Sequence, residues 1–364
     1  MGSGVAQALR RRGEAARDDT SAVPLRPGPI PKPTPTPFGV SHPGELSGIA
    51  RDVERRFGHL RLADRYEMTT LRHELGAVHH VTHRTNLGAP ALPDPAVARA
   101  VWEARLDTIY GIGTVTADRL KAAGMTSVRH LTDLDRYREA ALEVVAEHDD
   151  PDVNPLCRRF ARRLGERGHL LSALACALVG LDDIAFFDLE TMGLWNNVVF
   201  LAGIGRIRDG QFVVDQYLAP GFAGEAAVVA LATAALAEAK VVVTYNGRTA
   251  DVPWLRSRAF YYGTGAVPEL THVDLVYGTR GRFVRQEQRL PNAQLTVVSE
   301  ELLGLPRPEL DLDSALIPAV YERFAKHPER RQGMLVPILD HNRADLEALV
   351  LLLELLCAEA LLVG

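Results

Sequence analysis

The stretch Phe186-Phe187-Asp188-Leu189-Glu190-Thr191, entered from Ile184-Ala185, decides how the rest of the chain is read. An apolar run carrying two spaced acids predicts a short buried strand. Residues two apart on a strand share a face, so Asp188 and Glu190 point together while Leu189 turns into the core. Two carboxylates held side by side repel each other, and each gains from a shared cation. Oxygen donors with no cysteine nearby select Mg²⁺ or Mn²⁺ over zinc. Acids also end ordinary edge strands, so the reading depends on what accompanies the pair.

Downstream, the pattern alternates strands and helices. Ile184 to Phe187, Val198 to Ile207 and Gln211 to Leu218 read as strands, the last two joined by the hairpin signal Asp209-Gly210. An Ala-rich helix is expected over Ala226 to Ala239, then a β-branched strand over Val241 to Tyr245. This order predicts an α/β domain, a mixed sheet flanked by helices. The last strand runs into Asn246-Gly247-Arg248-Thr249-Ala250-Asp251, which sets Asp251 just past a strand end, near a helix start. Such positions carry functional groups in α/β sheets. Near the C-terminus, His341 and Asp345 are four residues apart on an expected helix and share a face. An imidazole beside a carboxylate is a plausible general base for water.

Upstream, residues 1 to 45 are expected to be a disordered leader, because prolines recur at nearly alternate positions from Pro24 to Pro37. Residues 46 to 180 read as a smaller, all-α region. In its cluster His79, His80 and His83, the spacing of His79 and His83 fits one helical face, but no acid or cysteine nearby completes a metal site. Polar contacts to a neighbouring domain or a phosphate are the better expectation. At Leu106 to Gly124 the Gly111-Ile112-Gly113 turn is expected between two helices, exposing backbone N–H groups where an anion can approach. A second signal is Leu156 to Leu178, read as one helix bearing Arg158, Arg159, Arg162, Arg163 and Arg167, a basic stripe suited to phosphates. Arg280, Arg282, Arg285 and Arg289 are expected to line a loop that guides a nucleic-acid strand.

Composition bounds these readings. The chain has 364 residues, 47% of them hydrophobic, enough for more than one domain with a sizeable core. A net charge of −5 excludes a global basic field, so any nucleic-acid contact must be local. Cys157, Cys176 and Cys357 are far apart, which suits a reducing cytosol and argues against disulfides or a zinc site. No apolar core follows Arg10, Arg11 and Arg12, so no signal peptide is expected and the protein reads as cytoplasmic. Leu346 to Val363 is apolar but carries Glu347, Glu354 and Glu359, which predicts a buried helix and no membrane span.

Taken together, Asp188-Leu189-Glu190-Thr191, Asn246-Gly247 with Asp251, and His341 with Asp345 resemble the three motifs of the DEDD 3′–5′ exonuclease superfamily of RNase H-like fold. Within it the chain is most similar to the bacterial YprB-type family, over roughly residues 182 to 364. The resemblance implies that Asp188, Glu190, Asp251 and Asp345 bind two Mg²⁺ or Mn²⁺ ions and that His341 takes a proton from water. It further implies that Thr191 and Asn246 meet the nucleic acid. Ala250 stands where the superfamily usually has an aromatic residue, and His341 keeps a spacing at which the better-known branches place Tyr. The Gly111 to Gly113 segment resembles the helix-hairpin-helix module of DNA-binding and repair proteins, which implies sugar–phosphate contacts through Gly111 and Gly113 and favours DNA over RNA. A ribonuclease, a structure-specific endonuclease and a non-catalytic nucleic-acid-binding scaffold stay open as alternatives.

Overall fold

The computed structural model describes residues 7–12, 43–193, 198–305, 307 and 311–363. Its centre is a mixed sheet of seven strands: β1 (Glu67–His73), β2 (Gly76–Gly88), β3 (Ile184–Thr191), β4 (Val199–Arg208), β5 (Gln211–Leu218), β6 (Val241–Thr244) and β7 (Thr271–Asp274), in the spatial order β1-β2-β5-β4-β3-β6-β7. Asp209 and Gly210 both adopt positive φ, as a tight hairpin turn requires, and they bring Arg208 opposite Gln211. Strands β6 and β7 run parallel to β3, so all three end at one edge of the sheet. That edge receives the loops where an α/β sheet gathers its functional groups.

Helices cover both faces. Helices α1 (Pro43–Phe57), α8 (Glu225–Leu236), α9 (Asp251–Tyr262) and α11 (Ile317–Ala325) bury Phe57, Val228, Leu255 and Tyr321 in a core with Phe187 and Phe200. On the opposite face, Phe186, Phe212 and Val243 pack against α5 (Asn154–Leu164), α6 (Glu166–Ser172), α7 (Ala175–Leu178) and the C-terminal helix α12 (Val336–Val363). Helix α12 is apolar on nearly all sides, which fits a helix buried between layers. No helix among the described residues is long and apolar enough to cross a membrane.

The structure departs from the sequence reading in several places. Residues 67–88, expected to be helical, form β1 and β2 and extend the sheet beyond β5. The helical region is therefore α2 (Pro95–Glu103), α3 (Thr114–Ala122), α4 (Arg138–Asp149) and α5 to α7, inserted between β2 and β3. A chain starting near Asp182 would lose α1, β1 and β2 and leave β5 as a bare edge of the sheet. The expected single helix over Leu156 to Leu178 is broken at Gly165, whose φ is +57°. Within the expected disordered leader, residues 7–12 are helical, with Leu9 buried and Arg12 donating to Glu354 at 2.5 Å and to the Gly88 carbonyl at 2.8 Å. The prolines from Pro24 to Pro37 lie outside the described residues.

Candidate active site

At the strand-end edge, three elements deliver carboxylates to one place. Strand β3 presents Asp188, half-buried, and Glu190, buried at 8% exposure. Asp251 opens α9 directly after the β6 loop, is 6% exposed, and accepts from the Leu189 N–H at 3.2 Å. That bond ties the second carboxylate-bearing element to the middle of the first pair. Helix α12 brings His341 and Asp345 from above, with His341 Nε2 3.5 Å from Asp345 Oδ2.

The electrostatics follow from burial and crowding. Burial, then Asp251, Glu190 and Asp345, hold the Asp188 carboxyl well above the usual carboxylate range. Burial, Asp345 and Asp251 do the same to Glu190. Asp251 is pushed up to about 7, mainly by burial, against the lowering effect of its backbone hydrogen bonds. Among the described residues, none of these three carboxylates has an ion-pair partner in the side-chain pairings of the fold. Adjacent buried acids of this kind are costly unless a cation joins them or protons neutralise them. Oxygen donors of this kind suit Mg²⁺ or Mn²⁺ in chemical type, although among the described residues no group of three or more His, Cys, Asp or Glu side chains is arranged closely enough to hold a metal ion.

Asn246 adopts a left-handed backbone at φ +63°, uncommon for a residue other than glycine and a conformation that collects at functional sites. Asp274 holds it there by accepting from the Asn246 N–H at 2.7 Å and the Arg248 N–H at 2.9 Å. Thr191, at the end of β3, sits one step past Glu190, where the pairing with β4 shifts register.

Two residues that sequence reading missed complete the wall. Asp311 Oδ1 lies 2.8 Å from His341 Nδ1, and Arg307 bridges Asp311 at 2.7 Å and ion-pairs with Asp345. Burial opposes protonation of His341, but Asp345 and the hydrogen bond to Asp311 outweigh it, and the imidazole pKa is raised. His341 Nδ1 lies between Asp311 Oδ1 at 2.8 Å and the Arg307 guanidinium at 3.0 Å, and Nε2 faces Asp345 and the Ser314 hydroxyl at 3.4 Å. Neither Arg307 nor Asp311 carries a sequence period that would mark it. A cavity of about 470 Å³ joins Asn246, Arg280, Arg307, Asp311, His341 and Asp345.

The basic candidates disperse. Arg280 lines that cavity, whereas Arg282 is held by Glu359 at 2.7 Å and Glu287 at 3.0 Å, Arg285 by Glu166, and Arg289 by Glu287. The expectation that Arg282 guides a strand is corrected accordingly: its guanidinium is already committed to two carboxylates. On α5, Arg159 is tied to Glu143 and Glu147, and Arg163 donates to the Ile109 carbonyl and covers the Tyr110 ring. Arg158 and Arg162 remain exposed, and Arg158 lines a second cavity with Arg248 and Arg256. Gly111 has φ +84°, and a Cβ added at Gly111 or Gly113 would meet nothing, so this turn is open to solvent. The element before it is a short 3₁₀ turn, Leu106–Thr108, in place of the expected full helix. The histidine cluster lies on β2, where His80 contacts Asp215 and His83 contacts Gln216, both on β5.

Residues 185–357 match a family model described as RNase_H superfamily, a span just under half of the chain. The C-terminal part is thus an RNase H-like domain, of a superfamily of nucleases that act on nucleic acid and usually use divalent metals. No curated protein matches the chain.

Proposed function

We propose that the protein is a DEDD-type 3′–5′ exonuclease that hydrolyses phosphodiester bonds of DNA at single-stranded or frayed ends. The observation that carries this reading is the meeting of Asp188, Glu190, Asp251 and Asp345 with His341 at one sheet edge. These four carboxylates would hold Mg²⁺ or Mn²⁺, which when bound would supply Lewis-acid stabilisation of the charge that develops during phosphodiester hydrolysis. Asp345 is ion-paired with Arg307, so holding a cation would require it to give up part of that contact. His341 accepts the proton from water through Nε2, while Asp311 fixes the ring through Nδ1. Arg280, which lines the same cavity, offers a cationic group to phosphate oxygens.

The open Gly111 to Gly113 turn and the exposed Arg158 and Arg162 support a helix-hairpin-helix-like grip on the backbone, which supplies affinity without reading sequence. The deciding experiment incubates end-labelled single- and double-stranded DNA and RNA with Mg²⁺, Mn²⁺ or EDTA. Metal-dependent shortening of DNA from the 3′ end is expected. Cleavage that persists in EDTA, or no cleavage of any nucleic acid with either metal, overturns the reading. Internal cuts or RNA-only cleavage redirect it to an endonuclease or a ribonuclease.

A further inference from the structure

Behind Asp188 lies a buried chain of side-chain hydrogen bonds that reaches four elements. Asn342, on α12 beside His341, donates through Nδ2 to Asp188 Oδ2 at 2.7 Å. Its Oδ1 accepts from Gln216 Nε2 at 2.8 Å, and the same Nε2 donates to the Leu339 carbonyl at 2.9 Å. Gln216 Oε1 lies 2.8 Å from His83 Nε2. Gln216 and Asn342 are fully buried and His83 is 8% exposed, so water cannot replace a missing partner.

Strand register explains why these residues meet. Val81, Gln216, Gly203 and Asp188 form one row across β2, β5, β4 and β3, and His83 shares the Val81 face two residues on. Gly203 leaves the gap in that row. A Cβ there would stand 2.1 Å from Asn342 Oδ1 and 2.8 Å from Leu346, so only glycine lets Asn342 lean over β4 to reach Asp188.

The chain has a direction. The Leu339 carbonyl can only accept, so it fixes the Gln216 amide with its N–H₂ toward Leu339 and Asn342 and its Oε1 toward His83. Burial keeps His83 neutral, and facing an oxygen its Nε2 must be the protonated nitrogen. Asn342 must then turn its own N–H₂ toward Asp188, since an amide has one donor end and one acceptor end. Reversing any member would aim an oxygen at the carboxylate.

We propose that His83, Gln216 and Asn342 are positioning residues for Asp188, a polarised relay that fixes one carboxylate oxygen and leaves the other for a divalent cation. The proposal rests on the nuclease reading of this cleft and makes β2, outside the family match, part of the catalytic unit.

The test is direct Mn²⁺ binding, by titration calorimetry and by loss of the free Mn²⁺ EPR signal, alongside kcat and KM for DNA and melting in EDTA. Asn342→Leu should weaken Mn²⁺ binding by about 10–100-fold, the usual cost of losing a hydrogen bond behind a metal ligand. Gln216→Glu keeps the shape but removes the donor facing Asn342, so it should weaken Mn²⁺ in the same way and lower kcat with KM for DNA little changed. His83→Phe should show a smaller loss of the same kind, and His83→Gln, which can still donate, should recover most of it even if melting falls. Wild-type affinity in both Asn342→Leu and Gln216→Glu overturns the relay. Equal losses in His83→Phe and His83→Gln that track melting also overturn it, because they mark a merely structural role. Wild-type protein that binds Mn²⁺ but cleaves no nucleic acid defeats the nuclease reading and leaves the relay standing, while failure to bind Mn²⁺ at all overturns both.

Discussion

The carboxylate cleft and the arginine-rich α5 surface look alike as clusters of one charge, yet they have opposite electrostatic fates. On α5 and the 280s segment most arginines are already answered: Arg159 by Glu143 and Glu147, Arg282 by Glu359, Arg285 by Glu166. In the cleft, Asp188, Glu190 and Asp251 are crowded together and buried, and each is pushed toward its neutral form. Long exposed side chains find counter-charges at little cost and contribute little, about 0–1 kcal/mol per pair. Short carboxylates on a strand and a helix start have no such freedom. Unanswered charge that the fold holds in place is the stronger sign of a ligand.

The sharpest way to break this contrast is Asp188→Asn. It should lower hydrolysis by at least about 10²–10³-fold, the scale of removing one preorganised electrostatic group. In EDTA at pH 8 the same change should raise the melting temperature, because it removes one of several repelling charges. A lower melting temperature would show that the cluster is not under electrostatic stress.

Next in size is His341→Ala, expected to reduce turnover by about 10²–10⁴-fold with KM little affected. Because Asp345 and Asp311 raise the imidazole pKa against burial, the rate should climb with pH through a limb above the ordinary value near 6.5. Asp311→Asn should move that limb downward. If His341 were only a packing residue, His341→Ala would melt lower but turn over normally at reduced temperature.

A third comparison uses stability. Asp251 titrates near 7 in the folded chain against about 3.9 when unfolded, and a raised carboxyl contributes stability that is full below the unfolded value and lost as pH rises through 7. The buried His83 and the half-buried His272 work the other way, losing stability as pH falls from 6.5 toward their lowered values. The difference between melting in Mg²⁺ and in EDTA cancels their share. That difference should grow steadily from pH 5 to pH 8, and a flat difference counts against metal on these carboxylates.

The smallest effect belongs to the surface. Arg158→Ala with Arg162→Ala should weaken DNA binding and reduce the salt dependence by about one to two counterions, with metal-dependent hydrolysis of short substrates unchanged. An unaltered salt slope would return both residues to the class of ordinary surface charge.

What the sequence disclosed followed from local spacing. Asp188 and Glu190 share one strand, and His341 and Asp345 share one helix, so two-residue and four-residue periods were enough to pair them. Strands β3 to β6 and the Asp209-Gly210 hairpin carry strong local signals and lie close to where they were expected. The histidines misled because four residues is both a helical turn and two full strand repeats, so His79 and His83 share a face in either structure. Arg307 and Asp311 sit on a segment without a period. Gln216 and Asn342 acquire meaning only through Gly203 on a strand between them, a relation across the sheet that no window of sequence contains.

The pairing of β2 with β5 also sets an order of events. His80 and Asp215 touch across the sheet but lie 135 residues apart, with the whole helical region emerging between them. A two-stranded hairpin such as β1–β2 is marginal by itself and presents an unpaired edge while it waits. The helices between can close on local contacts first, whereas the sheet must join distant segments, the slow step in folding. Asn342 comes from α12, 126 residues after the Gln216 it bonds and 154 after Asp188, so the row across the sheet closes only when three distant segments have met.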